Sequence, residues 1–461
     1  MGRKYNFDYI VIGSGPAGST AALTLAKSKK HIALVEGRYF GGANLNTRDV
    51  PYSVTLDFAH TYHKISHSPE LAHQDFSFNF PTIVAHQLKA VIETGGGNNQ
   101  KLYDNAGVTC LHGYANFLDQ NTIAIGDQKF TSKNFILATG SHLDTSAIAG
   151  TNAVNYLTPE TAIKIRRLPR AVLVVGGGPT GCEIAEYYAE LGAKVLIMEK
   201  SGRLLPLQDI ETSQAIAEHF SNDLGIMVLP NCKVIALEQD DLSKRVIFQN
   251  NRTEKMVRVD CIVLATGNRP TTDYGLENAD INFTKSGSIK IDKYFQTSAK
   301  NIFAIGDCTN DDPSISSTER AGYEGKLLAT NIINKTKNTP NYKGFTYVVD
   351  TSLTVASVGA TEAELKHHKR KYKKSIVYLR ETPAGKIFGL HYGFVKLLFS
   401  HTNHIIGGCI VAPNAKAMSG EIALAVRHNL TASNLASTPH IANDYSYAIK
   451  LATEKLTTNK K

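Results

Sequence analysis

The sequence predicts an α/β protein with two Rossmann-like dinucleotide-binding domains and a C-terminal α+β domain. Three observations carry this reading: a long internal repeat, strands that return after each copy, and a change of pattern near residue 345. The repeat pairs FDYIVIGSGPAGSTAALTLAKSKKHIALVEG, starting at Phe7, with RAVLVVGGGPTGCEIAEYYAELGAKVLIMEK, starting at Arg170. Each copy reads as an apolar strand, a glycine turn, an amphipathic helix and a second strand ending in an acid. The acid stands 23 positions beyond the first glycine both times, Glu36 after Gly13 and Glu199 after Gly176. A strand before, a helix after and one acid offset used twice take the pattern beyond chance.

The return strands are NFILATG, ending at Gly140, and CIVLATGNRP, which contains Gly267. A third strand-turn, NIFAIGDC, carries Gly306 and Asp307. Between Gly140 and Arg170 strand character is lost, marking the crossing into the second domain. From about Phe345 the chain changes to long alternating strands (FTYVVDTSLTVASVG, KSIVYLRE, GFVKLLFS, HIIGGCIVA) and a helix, GEIALAVRHN. The expected boundaries are therefore 1–150 for the first part of the first domain and 151–272 for the second. Residues 273–345 return to the first domain, and 346–461 form the third, which has no phosphate motif.

At 461 residues, 42% hydrophobic and 20% charged, the chain has the make-up of a soluble globular protein of about two to four domains. No apolar run approaches the ~20 residues that span a bilayer. The first strand begins at Phe7, which leaves no room for a leader, and Asn6 breaks the myristoylation pattern, so a cytoplasmic location is expected. Six cysteines are scattered, none at C-x-x-C or C-x-x-x-x-C spacing, which argues against a disulfide framework and a zinc ribbon. The net charge of +9 is mild for this length. Its densest basic run, KHHKRKYKK from Lys366 to Lys374, reads as a solvated loop or strand edge. Without aromatic interleaving or a nucleic-acid motif, nucleic acid is disfavoured as a partner.

In the first repeat Gly13 permits the tight turn, Gly15 lets backbone amides approach a pyrophosphate, and Gly18 brings the helix close to the strand. The pyrophosphate then sits at a helix N-terminus, and Glu36 accepts from an adenosine ribose. Gly176, Gly178 and Gly181 play the same parts in the second repeat. Glu199 there accepts from a free 2′-OH and repels a 2′-phosphate, which favours NADH over NADPH. Lys200 and Arg203 lie just beyond and keep the phosphate alternative open.

On these residues, with GG at 41 and 42, LATG, GGGPTGCE, LATGNRP, TSAKNIFAIGDC, VASVGATEAEL and GFVKLLF…IIGGCIVAPNA, nearly the whole chain resembles one family. It is the flavoprotein (pyridine nucleotide) disulfide oxidoreductase family, which includes dihydrolipoamide dehydrogenase, glutathione reductase and mercuric reductase. The resemblance implies a FAD domain, an inserted NAD(P) domain and a C-terminal dimerisation domain. It places Gly140, Gly267 and Asp307 among the cofactor-binding residues, with Asp307 at the flavin ribitol. A helix starting near Ser316 to Arg320 would aim its N-terminus at the flavin N1/O2 edge.

Departures from the family pattern concentrate at the redox site. Where the family reads G-G-T-C-x-x-x-x-C-x-P-S-K, this chain has GGANLNTRDVPYS, with Asn44 and Asp49 at the cysteine positions and Ser53 at the lysine position. Neither Asn nor Asp exchanges with a disulfide. The family's H-P-T-x-x-E falls on Ala442 and Tyr447, and His440, two residues early, reads as a surface or interface histidine. Glu183 matches the glutamate that pairs with the missing lysine. It is left to find Arg48 or another donor, or to stay desolvated. Pro179 stands where many relatives carry an aromatic gate. Asp49 is a candidate proton donor or acceptor beside the flavin, the alternative being a plain pair with Arg48. Asn44, Asp49 and Glu183 are the candidate catalytic residues.

Asp57, His60, His63 and His67 fall near one face of an expected helix at steps of three, three and four. Such spacing suits Zn or Cu, but with no second shell in sight it reads as a polar helix face, and no metal is assigned. Cys182 and Cys308 follow cofactor turns singly and read as small packing residues. The expected function is a homodimeric FAD protein that takes electrons from NADH and passes them directly to a small non-disulfide acceptor: a quinone, a dye, oxygen or a metal ion. A soluble transhydrogenase-like enzyme and a catalytically silent FAD/NAD-binding sensor or scaffold are the alternatives.

Overall fold

Along the strand Phe7–Ile12 successive side chains leave on opposite faces, and burial follows: Ile10 and Ile12 join one apolar cluster, Tyr9 and Val11 another. In the computed structural model, which describes residues 4–71, 77–239, 243–310 and 317–458, the chain divides into two units. The first comprises 1–55, 79–144 and 267–341; the second comprises 56–78, 145–266 and 342–461.

The first unit is built on a seven-stranded sheet. Its parallel part runs Thr109–His112, Ile32–Glu36, Phe7–Ile12, Gln128–Leu137 and Ile302–Ala304. In register, Tyr9 faces Ile32 on one side and Asn134 on the other, while Ile302 faces Phe135. Ala115–Asp119 and Thr122–Ile125 extend it antiparallel. The helices Pro16–Ala26 and Thr318–Asn334 cover one face through Ala17, Ala21, Leu25, Leu328 and Ala329, each of the two leucines contributing about 1.5–3 kcal/mol by burial. They approach this closely because residue 325 is glycine: a Cβ there would lie 2.2 Å from the carbonyl oxygen of Ala17.

The second unit holds a four-stranded parallel sheet in the order Met227–Leu229, Lys194–Met198, Ala171–Val175, Cys261–Leu264. It also holds a three-stranded antiparallel sheet over residues 232–259 and a five-stranded antiparallel sheet. The last runs Thr346–Val349, Val355–Gly359, Ile405–Val411, Phe394–Phe399 and Lys373–Tyr378. Helices Ala415–Arg427 and Tyr447–Thr458 pack on it through Met418, Ile422, Ala448 and Ile449. The basic run ends in the edge strand Lys373–Tyr378, and two of its lysines, Lys366 and Lys374, pair with Glu362. The long helix Asp49–Ser66 starts in the first unit, and its turns from Leu56 onward belong to the second.

All six residues of Phe394–Phe399 are buried, including Lys396, which the alternating reading of GFVKLLFS does not anticipate. Its ammonium is 0% exposed and lies 2.7 Å from Asp209, 2.8 Å from Glu211 and 3.2 Å from Glu362. A charge without water is tolerable there because three carboxylates replace the water.

Candidate functional site

The two glycine loops share one local geometry. Gly13 has φ +98° and Gly176 φ +113°, and a Cβ at either would sit 2.3 Å from a carbonyl oxygen, of Ala138 and Ala265 respectively. A Cβ at Gly18 or Gly181 would press to 1.8 or 1.9 Å from the oxygen of Gly13 or Gly176. At Gly15 and Gly178 the opposite holds, since a Cβ would meet nothing within 4 Å. The helices that follow, Pro16–Ala26 and Pro179–Glu190, start with proline and have no side-chain cap. Their first-turn amides are thus uncapped by any side chain beside open space, a geometry that suits a pyrophosphate.

The acids complete the parallel. Glu36 Oε2 accepts from the amide of Ser14 at 3.0 Å and Oε1 from that of Arg38 at 2.7 Å. Glu199 Oε2 accepts from the amide of Gly177 at 2.6 Å and Oε1 from that of Ser201 at 2.6 Å. Each carboxylate therefore braces its glycine loop and keeps lone pairs for ribose hydroxyls. Arg203 donates to Ser213 Oγ (2.5 Å) and to the carbonyl of Pro206 (2.9 Å).

Around the first loop the structure adds Ser14 to the residues that the sequence named. Ser14 Oγ donates to Glu36 (2.6 Å) and accepts from the amide of Gly41 (3.1 Å). Gly42, at φ +68°, lies against Gly15 so closely that a Cβ would come 2.5 Å from its Cα. Gly140 has φ +67° with open space beside it, and the hydroxyl of Ser141 donates to Asp307 at 3.2 Å. Gly267 likewise takes φ +97°. Gly306, Asp307, Asn310, Ser317, Arg320 and Glu324 line a small cleft. The helix beyond it starts at Thr318, with Ser317 as its cap; Ser316, part of the expected start, lies outside the described residues.

Asn44 and Asp49 come together. The Asn44 amide donates to Asp49 Oδ2 and, at 2.9 Å, to Thr318 Oγ1, whose hydroxyl donates to the same Asp49 oxygen at 2.6 Å. Asp49 is thus held by Asn44 and Thr318 instead of Arg48. Thr318 falls within the helix start expected at 316–320, but its pairing with Asp49, 269 residues away, had no sequence signal. Glu183 finds a donor in the backbone amide of Asp350, at 2.9 Å.

Two expectations are corrected. For His440 the surface alternative is overturned: its side chain is 5% exposed, with Nε2 3.1 Å from Glu421. The histidine face divides, with Asp57 and His67 exposed but His60 and His63 half-buried, and His60 Nδ1 2.6 Å from Glu190. All six cysteines are free. Burial pushes Cys110 and Cys308 up to about 12 and raises Cys182, Cys261 and Cys409. Thiols so disposed are poorly suited to exchange.

Among the described residues no helix is long and apolar enough to cross a membrane. The chain is 30% identical to dihydrolipoyl dehydrogenase of Geobacillus stearothermophilus over 94% of its own length and 92% of that protein. It is 28% identical to mercuric reductase of Bacillus cereus over 94% of its length and 69% of that protein. Among solved structures, LpdA of Mycobacterium tuberculosis matches with a TM-score of 0.84 at 23% identity, covering 97% of this chain and 99% of that one. The Cu(II) complex of the HOCl-induced flavoprotein disulfide reductase RclA of Escherichia coli matches with a TM-score of 0.84 at 20% identity, covering 99% and 100%. These two likenesses establish the fold. Residues 7–325 match the model of the pyridine nucleotide-disulphide oxidoreductases, and residues 345–453 match that family's dimerisation domain. With two glycine loops, their paired acids and this dimerisation domain in one chain, the protein belongs to the pyridine nucleotide-disulphide oxidoreductase family.

Proposed function

We propose that this protein is a FAD-dependent NAD(P)H oxidoreductase that delivers electrons to a small non-disulfide acceptor: a quinone, a dye, oxygen or a metal ion. Members of the family use FAD and NAD(P)H, and those two groups supply the two-electron chemistry when bound. The chain's own residues bind and orient them. Gly13, Gly15 and Gly18 shape the loop for the FAD pyrophosphate, Glu36 takes its ribose, and Gly140 and Asp307 line the same domain. Gly176, Gly178, Gly181, Glu199 and Gly267 do the corresponding work for the nicotinamide nucleotide. Glu199 at the ribose favours NADH over NADPH, and Arg203 donates to Ser213 and Pro206.

One observation carries the choice of acceptor. The positions where the family resemblance expects a dithiol hold Asn44 and Asp49, hydrogen-bonded to each other and to Thr318. In their place the chain offers a carboxylate, Asp49, that can hold or release a proton near an acceptor. A homodimer joined by residues 346–461 and a cytoplasmic location belong to the same proposal. The experiment is steady-state turnover of the FAD-loaded protein: NADH oxidation with a quinone, and none with lipoamide, glutathione disulfide or thioredoxin. Turnover with any of those disulfides would refute the reading. Absence of turnover with any acceptor would favour a nucleotide-binding scaffold.

A further inference from the structure

The long helix Asp49–Ser66 carries a second group of residues that electron transfer does not use. His60 lies against two glutamates one turn apart on the helix Pro179–Glu190. Glu186 is 0% and Glu190 2% exposed, and His60 Nδ1 stands 2.6 Å from Glu190 Oε2. One ligand atom from each of His60, Glu186 and Glu190 lies within 4.8 Å of the other two. All three residues belong to the second unit.

Their surroundings are those of a ligand set. Glu186 accepts from the amide of Ser352 at 2.7 Å and from its hydroxyl at 2.6 Å, and it lies 3.3 Å from His219 Nε2. The other ring nitrogen of His219 is 2.8 Å from Asp223. Such hydrogen bonds orient carboxylate and imidazole ligands in metal sites. Two buried ring nitrogens have no hydrogen-bond partner, Nε2 of His60 and, one turn along, Nδ1 of His63. Buried polar atoms rarely stay unpartnered. Two carboxylates removed from water also need positive charge close by.

We propose that His60, Glu186 and Glu190 bind one divalent transition-metal ion of the zinc class. Imidazole with carboxylate is a donor set of borderline softness that suits Zn²⁺, and one dication neutralises the two buried glutamates. With bonds of about 2.0–2.2 Å, tetrahedral ligands stand about 3.3–3.6 Å apart. His60 Nδ1 stands 2.6 Å from Glu190 and no separation in the group exceeds 4.8 Å, so small side-chain shifts reach that value. The His60 side chain keeps 25% exposure, which leaves an approach from solvent. The ion ties the helix Asp49–Ser66 to Pro179–Glu190, a structural role independent of the reaction proposed above. The histidine spacing was visible in the sequence, but its two partners come from 126 and 130 residues away, which is why no motif completed it.

The test uses the FAD-loaded protein, stripped with a chelator and titrated with Co²⁺ and then Zn²⁺. The expected result is one Co²⁺ per chain with a visible ligand-field spectrum, abolished by one equivalent of Zn²⁺, and a raised melting temperature. His60→Gln and Glu190→Gln should weaken binding about 100-fold and Ser352→Ala about tenfold, with His404→Ala unchanged. A pair that merely shares a proton gives no stoichiometric cobalt spectrum, and that result in the parent protein alone overturns the site. Unchanged affinity in both Gln variants overturns it as well. If a Gln variant loses FAD or native circular dichroism, the parent titration still decides.

Discussion

At the scale of single residues, Asp49 and Lys396 show two opposite ways of placing a charge. Asp49 is exposed and meets two neutral donors, Asn44 and Thr318, and under the proposed function it faces the acceptor. Asp49→Asn removes the carboxylate and should raise the flavin reduction potential or slow quinone turnover. A variant matching the parent in potential, pH profile and turnover would make Asp49 a bystander. Lys396, with no exposed surface, instead holds three carboxylates together, so Lys396→Met should cost about 3–5 kcal/mol in urea unfolding. Glu362 adds a pH signature. Burial pushes its carboxyl up, but hydrogen bonds from Tyr372, Lys366 and Lys374 outweigh this and hold it far below the usual carboxylate range. A lowered folded-state value means stability that is present above about pH 4.3 and is lost as pH falls further. The stability gap between the parent and Glu362→Gln should therefore narrow steadily below about pH 5. A gap constant from pH 7 to pH 3 would contradict the network.

Among the elements, the glycine loops were the most legible part of the chain, because each glycine answers a local demand that the sequence states directly. The two kinds of glycine make separable predictions. Gly15→Ala adds a Cβ into open space, so stability should change by less than about 0.5 kcal/mol while FAD affinity falls at least about tenfold. Gly18→Ala drives a Cβ to 1.8 Å from the oxygen of Gly13 and should cost about 1–3 kcal/mol of stability. Equal destabilisation by both would show that Gly15 serves packing only. Elements held by distant partners were not legible. Gly325 sits in an ordinary helical pattern, and only the helix Pro16–Ala26 against it gives it a purpose. Likewise GFVKLLFS reads as a strand with one wet face, whereas both faces are covered and its lysine is neutralised by three carboxylates from two other segments. His440 could not be placed from sequence because its partner, Glu421, lies on the helix Ala415–Arg427 with no motif linking them.

For the whole molecule, the order of segments along the chain gave the fold class, and the family match bears it out. The structure groups the second glycine loop with the C-terminal sheet in one unit, an arrangement set by long-range packing that no local pattern expresses. The central claim is that electrons leave this protein without a dithiol relay. Every cysteine is free, and burial raises the thiol pKa of five of the six. The most direct measurement is an anaerobic NADH titration of the FAD-loaded protein, followed by absorbance. The account predicts uptake of two electrons per flavin with no thiolate charge-transfer band; uptake of four, or appearance of that band, would contradict it.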